Sequence, residues 1–308
     1  MYKKIRKGIG RIMYRVRRSF GRMLTAISPE LNTKYRYRTV LGRKWDPDNL
    51  VTLNDKITWL KLNQYNHDPK VRQLADKYRV REFLEDNGYG HLLIPLIATY
   101  EKLEDIDFTS LPEKFVLKLN VGWACNLICT DKSKLDYEEI RKLVRKWIKQ
   151  DYYLTHGELQ YKDVKPVILI EEYLDDGSGY SPEDYKFYCF NGSCKTVMVC
   201  LGRGLKNRAE FYQYNRNWDL LPYTRDSLRN PNVNIEKPEL IDEAFVLADE
   251  LSTGFPFVRV DLYILNSKIY FGEFTFTPSA GLDAARLPEI DLLFGSYLDI
   301  SDLIEEQH

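Results

Sequence analysis

A chain of 308 residues, 44% hydrophobic and 29% charged, is a globular protein with enough length for a large core divided into two or three lobes. Its formal charge is zero, yet residues 1–44 hold fourteen Lys or Arg against one Glu, so the remainder carries a matching excess of acid. Five cysteines without a repeating spacing (Cys125, Cys129, Cys189, Cys194, Cys200), no secretory signal and only four histidines exclude a disulfide framework and a structural zinc site, and a reducing cytoplasm fits best.

Ile5, Ile9, Ile12, Val16, Phe20 and Met23 recur every three or four residues while Lys and Arg fill the remainder, which predicts a basic amphipathic helix over residues 1–25. Such a helix lies in the headgroup plane of an anionic membrane, and its apolar runs are far below the ~18 residues needed to span one. A nucleic-acid arm, an organellar transit peptide and a helix docked on the protein's own acidic body are the other readings. The regular stripe favours the membrane surface, with the protein in the cytoplasm and peripheral at the inner face of the cell membrane. No nucleic-acid partner is expected.

Further along, Asn54 is placed to cap a helix carrying Ile57, Leu60 and Leu62, and Asp68-Pro69 opens a longer helix over residues 69–86 that puts Lys77 and Arg81 one turn apart. Residues 93–100 and 114–119 read as strands, then come the turn Asn120-Val-Gly-Trp-Ala-Cys-Asn126, a strand through Cys129 and a helix over 136–149. Lys118 ends its strand and points into that turn, where backbone amides meet phosphate oxygens. Residues 167–174 form a continuous apolar strand ending in Glu171-Glu172-Tyr173-Leu174. An Asn191-Gly192 hairpin joins strands 185–190 and 193–201, a further strand covers 211–215 and an amphipathic helix 240–251. Alternation puts Asp184 and Lys186 on one face.

The last hairpin carries two carboxylates twelve residues apart. A three-residue loop of Asn266, Ser267 and Lys268 sets Leu265 opposite Ile269, and counting back places Asp261 opposite Glu273 and Arg259 opposite Thr275. Directly opposed like charges roughly 5 Å apart destabilise a sheet, and a hard divalent cation reverses that penalty. A two-residue loop would instead send the carboxylates to opposite faces. The element order suggests an α+β architecture of two antiparallel sheets with a cleft; there is no Walker loop, dinucleotide fingerprint or internal repeat.

Together, Asn54-Asp-Lys-Ile-Thr-Trp-Leu-Lys-Leu62, Leu74-Ala-Asp-Lys-Tyr-Arg-Val-Arg81, Phe115-Val-Leu-Lys118, Asp184-Tyr-Lys-Phe187, Gly254-Phe-Pro-Phe-Val-Arg-Val-Asp-Leu262 and Thr275-Phe-Thr-Pro278 resemble the TupA-like ATP-grasp family over about residues 40–285. The resemblance implies an ATP-grasp fold, two antiparallel-sheet lobes clamping a nucleotide, with a 26–110 N-terminal region behind the basic helix, a small lobe over 111–170 and a large lobe over 171–308 that holds the metal. It implies ATP and Mg²⁺ as cofactors. Adenine would lie against the 170–174 hinge, including Glu171, Glu172, Tyr173 and Leu174. Lys77, Arg81, Lys118 and Lys186 would meet phosphates with Gly122 and Asn126 of the loop, Glu172 or Asp184 the ribose or base edge, and Asp261, Glu273 and Thr275 the metal. Arg259 and Lys186 would serve the transferred phosphoryl group.

The implied activity is amide formation between a carboxylate and an amine through an acylphosphate, in cell-surface polysaccharide biosynthesis, with a sugar-acid or polysaccharide precursor and an amine or amino acid as partners. A kinase-like or glycosyltransferase-like enzyme of the same pathway and a degenerate nucleotide-binding module are the alternatives. One departure stands out: relatives carry a glycine-rich phosphate loop, whereas residues 121–125 leave a single glycine.

Overall fold

The computed structural model describes residues 16–177, 182–202 and 208–306. Ten strands make two antiparallel sheets. The smaller has the order β1 (Leu96–Tyr100), β4 (Ile168–Glu172), β2 (Phe115–Leu119), β3 (Asn126–Cys129). The larger runs β10 (Lys268–Thr275), β9 (Phe257–Leu265), β5 (Asp184–Phe190), β6 (Ser193–Leu201), β7 (Glu210–Tyr214), β8 (Leu220–Leu221). Each sheet has its own apolar core. One gathers Phe115, Leu117, Ile140, Val144 and Ile170; the other gathers Phe187, Val260, Phe245 and Phe294 together with residues of the N-terminal region. Tyr161 packs against both. Strand β1, which a lobe boundary at residue 111 leaves out of the small lobe, pairs with β4 inside it.

Local chemistry accounts for the elements. The helix Tyr137–Ile148 starts where the Asp136 carboxylate accepts the amides of Glu138 and Glu139, and it buries Ile140, Val144 and Trp147 at helical spacing. β5 is buried along all seven residues because it lies between β9 and β6 and is covered on both faces. On one face Phe187 meets Phe245 edge on at 5.1 Å, and the Cys189 thiol donates to the Ala248 carbonyl of helix Ile241–Ser252. Asp184 and Lys186 take the other face, toward the smaller sheet. At the Asn191-Gly192 hairpin, both turn residues are left-handed, as a type I′ turn requires, and Cys189 pairs with Cys194 as two free thiols.

Three expectations change. Helix Leu53–Leu60 is capped by Thr52, in a reciprocal box with Asp55, and not by Asn54. Asn54 is inside the helix, where its backbone and side-chain amides both donate to the Asp291 carboxylate, while the Thr52 hydroxyl accepts from the Asp55 amide. The 69–86 helix is two helices, Pro69–Leu74 and Arg79–Asp86; Asp76 caps the second by accepting from the amides of Tyr78 and Arg79, which leaves Lys77 in the break. The last hairpin closes on a two-residue loop, Asn266-Ser267, both left-handed at φ 53°, so Leu265 opposes Lys268 and not Ile269. A bulge between Phe271 and Glu273 then adds the missing residue at Gly272, and Glu273 opposes Asp261 and Thr275 opposes Arg259 after all.

Residues 16–27 are helical and residues 1–15 of the expected basic helix lie outside the described residues. Gly21 and Thr25 face the body, where the Asn32 amide donates to the Thr25 hydroxyl at 2.6 Å and to the Thr155 carbonyl, and Arg22 reaches Asp151. Val16, Phe20, Met23 and Ile27 stand exposed on the opposite side. Among the described residues no helix is long and apolar enough to cross a membrane.

Candidate active site

The sheets face each other across a cavity of about 660 Å³. Asn120 fixes one wall: its amide group donates to Asp76 and to the Lys165 carbonyl and accepts from the Val167 amide, which pins the loop 121–125 between β2 and β3. Gly122 is left-handed, and the Tyr152 ring lies 2.3 Å from where a Cβ would stand, so this single glycine is required on two grounds. Ala124 is also left-handed, a strained setting for a residue with a Cβ. The Gly122 carbonyl accepts from the Lys77 ammonium at 2.9 Å, so the break between the two helices brings a lysine to the loop.

On the opposite wall, Lys186 lies between two buried carboxylates, at 2.7 Å from Asp184 and 2.5 Å from Asp261. Arg259 grips Asp261 with two bonds, Nε to Oδ1 at 2.6 Å and Nη2 to Oδ2 at 2.7 Å, and also donates to the Thr275 hydroxyl at 3.0 Å. Glu273 faces Lys77 at 3.4 Å and Arg259 at 4.0 Å. Burial by itself raises the Glu273 carboxyl, but Lys77, Lys186 and Arg259 outweigh it and hold it at about 2. Glu273, opposite Asp261 in the hairpin, is thus kept ionised by three cations.

At the strand ends, Lys118 pairs across the sheet with Asn126, and its ammonium lies 2.6 Å from Glu171, which Arg81 approaches from behind at 3.5 Å. Lys77, Lys118, Gly122, Asn126, Glu171, Glu172, Tyr173, Leu174, Asp184, Lys186, Asp261 and Glu273 all line the cavity. Arg81, Arg259 and Thr275 do not: Arg81 is turned to Glu171 and the Ile94 carbonyl, and the other two bond each other behind Asp261. Trp123, Ala124 and Cys125 of the loop line it too, as do Ile94, Val116, Ile128, Pro182, Tyr263 and Gly272, which were not singled out as site residues in the sequence. Only Gly272 carried a signal, a lone glycine inside a strand pattern.

Two antiparallel sheets closed on a cavity that sets facing carboxylates among lysines define a protein of the ATP-grasp class. The family model described as TupA-like ATPgrasp matches residues 55–299, and the chain belongs to that family. No curated protein matches the sequence. Among solved structures it is similar to D-alanine–D-alanine ligase from Bacillus anthracis complexed with ATP (16% identity, 76% of this chain and 65% of that one, TM-score 0.43), and to the ATP-grasp ligase PsnB complexed with minimal precursor (15%, 69% and 54%, 0.39). It is also similar to the D-cycloserine synthetase DcsG (14%, 79% and 74%, 0.41). The chain spans less than two thirds of the length of the first two.

The family is named for its grasp of ATP, and the PsnB ligase is also known complexed with Mg and ADP. The residues here would fit a nucleotide with a hard metal ion: Asp261 and Glu273 offer hard oxygens, while Lys77, Lys118 and Lys186 surround the same space with cations for phosphates. Among the described residues no group of three His, Cys, Asp or Glu is placed to hold a metal ion by itself, and Asp261 and Glu273 are each paired with a lysine or arginine.

Proposed function

We propose that the protein is an ATP- and Mg²⁺-dependent ligase that joins a carboxylate, of a sugar acid or an amino acid, to an amine in cell-surface polysaccharide biosynthesis. The observation that supports it is the opposition of Asp261 and Glu273 inside a lysine-lined cavity of the size of a small-molecule site. When bound, MgATP supplies the phosphoryl group that turns the acceptor carboxylate into an acylphosphate, which an amine attacks with loss of phosphate. The chain's own contribution is electrostatic and positional. Lys77 and Lys118 meet phosphate oxygens from the loop side, Lys186 from the opposite wall, and Asp261 with Glu273 orient the metal. Arg259 holds Asp261 in place from behind the cavity wall, with Thr275 fixing the guanidinium. Tyr173 and Leu174 offer an apolar surface for the base, and Glu172 and Asp184 carry acceptors at its edge.

The same reading places the protein at the inner face of an anionic membrane, supported by the outward apolar stripe and the run of arginines beside it. A nucleotide-binding module without turnover is the second reading, favoured by the strained Ala124 and the ring-filled flank of Gly122.

Purified protein incubated with ATP, Mg²⁺, uronic acids and amino acids separates these readings. Phosphate release that needs both co-substrates supports ligation. ADP with a phosphorylated sugar overturns it in favour of a kinase, and bound ATP without turnover in favour of the module. Asp261→Asn serves as the control: it is expected to abolish Mg²⁺-dependent turnover and to lower Tm, because Lys186 and Arg259 lose the buried charge that they share.

A further inference from the structure

Trp123, in the loop that holds a single glycine, is 44% exposed and lines the cavity. Its ring stacks on His156 at 4.5 Å and 21° and meets Tyr152 edge on at 5.3 Å. His156 Nδ1 lies 3.5 Å from Glu158 Oε2. The other oxygen of Glu158 accepts from the Thr277 hydroxyl at 2.6 Å, and Gln160 donates to that hydroxyl at 3.1 Å. Thr277 stands two residues beyond Thr275 and opens the segment Ser279-Ala280-Gly281, three successive left-handed residues of which two carry a Cβ. Such backbone persists only where the surroundings over-determine it. Here Lys61 donates to the Ala280 carbonyl at 3.1 Å and Thr58 to that of Gly281 at 3.3 Å.

Glu158 is buried, and neither it nor Thr277 lines the cavity. It nevertheless stands between the loop that flanks the nucleotide space and the strained segment that follows the metal strand. Burial by itself raises its carboxyl; His156, Thr277 and Lys61 together hold it below the usual range, so the group is a carboxylate.

We propose that Glu158 is a positioning residue that couples the two halves of the site: Trp123, set by a nucleotide, is linked through His156 and Glu158 to Thr277 and the segment behind it. The inference rests on the nucleotide-site reading above. The stack fixes His156, His156 and Thr277 share one carboxylate, and a shift of any member alters the bond made by the others. The loop thereby acquires a role of its own, since Trp123 supplies the ring that stacks on His156.

A double-mutant cycle on MgATP affinity, read by calorimetry with melting curves as a folding control, tests the coupling. Thr277→Val and Glu158→Gln, outside the cavity, are each expected to raise the ATP Kd by about fivefold or more in the wild-type background. In a Trp123→Ala background Thr277→Val is expected to change nothing further. Thr277→Ser, which keeps the hydroxyl, is expected to retain wild-type affinity. Additive effects of Trp123→Ala and Thr277→Val, or an unchanged Kd in folded Thr277→Val, overturn the coupling and leave the nucleotide site standing. A wild-type chain that binds no ATP overturns the nucleotide-site reading, and the coupling with it.

Discussion

Lys61 is a lysine set deep inside the fold. It has no exposed surface, sits in a π-helical turn over Lys61–Tyr65 and bonds carbonyl oxygens of Ala280 and His156. Burial pushes its ammonium down, Glu158 resists and Arg36 adds to the fall, leaving it at about 8. An unfolded chain keeps that proton up to about pH 10.4. Between those limits the unfolded state binds more protons than the folded one, so stability rises with pH across that window; below it, the penalty for burying the charge is fully present. The Tm of the wild type relative to Lys61→Met is therefore expected to increase from pH 8 to pH 10, in paired thermal melts. A gap that stays flat would mean that the ammonium is as well solvated as in water.

Hairpin β9–β10 shows how far a sequence carries at the scale of an element. The opposition of Asp261 and Glu273 follows from a three-residue loop by counting, and the structure reaches it by a two-residue loop plus a bulge. The two routes add the same single residue, so alternation alone does not distinguish them. Ser267 hid the type I′ turn, since a serine at the second position lacks the freedom of the usual glycine. Gly272 has an ordinary φ, but a Cβ there would lie 2.9 Å from the Asp261 carbonyl and 3.2 Å from the Tyr263 ring. Gly272→Ala is accordingly expected to cost about 1–3 kcal/mol. It should also weaken Mg²⁺-dependent ATP binding, as thermal melts and calorimetry would show. Strands and the Asn191-Gly192 turn were legible because their patterns are local. The Glu158 network was not, because Lys61, Glu158 and Thr277 come from three distant segments: Lys61 and Thr277 fall within family motifs, but nothing local marks Glu158 as their partner.

For the whole molecule, two sheets and a cleft followed from the order of the elements, and family motifs marked which side chains to bring together. Sequence did not reveal which side of the basic helix meets the body. Small residues do: Gly21 and Thr25 pack against Asn32, and the apolar stripe looks outward. Sedimentation with anionic vesicles is expected for the full chain, to fall with salt, and to be lost on deleting residues 1–27. Met23→Glu with Ile27→Glu, which changes only the outward side, is expected to weaken it without lowering Tm. Equal pelleting with neutral vesicles would rule out an electrostatic anchor.

Tyr161 belongs to the cores of both lobes, and its hydroxyl lies in the field of Glu158 and Glu273. A ring in that place is ground common to two interiors that are otherwise separate. A change of its size or shape is expected to be felt in both lobes at once, and at Glu273 in the gap between them.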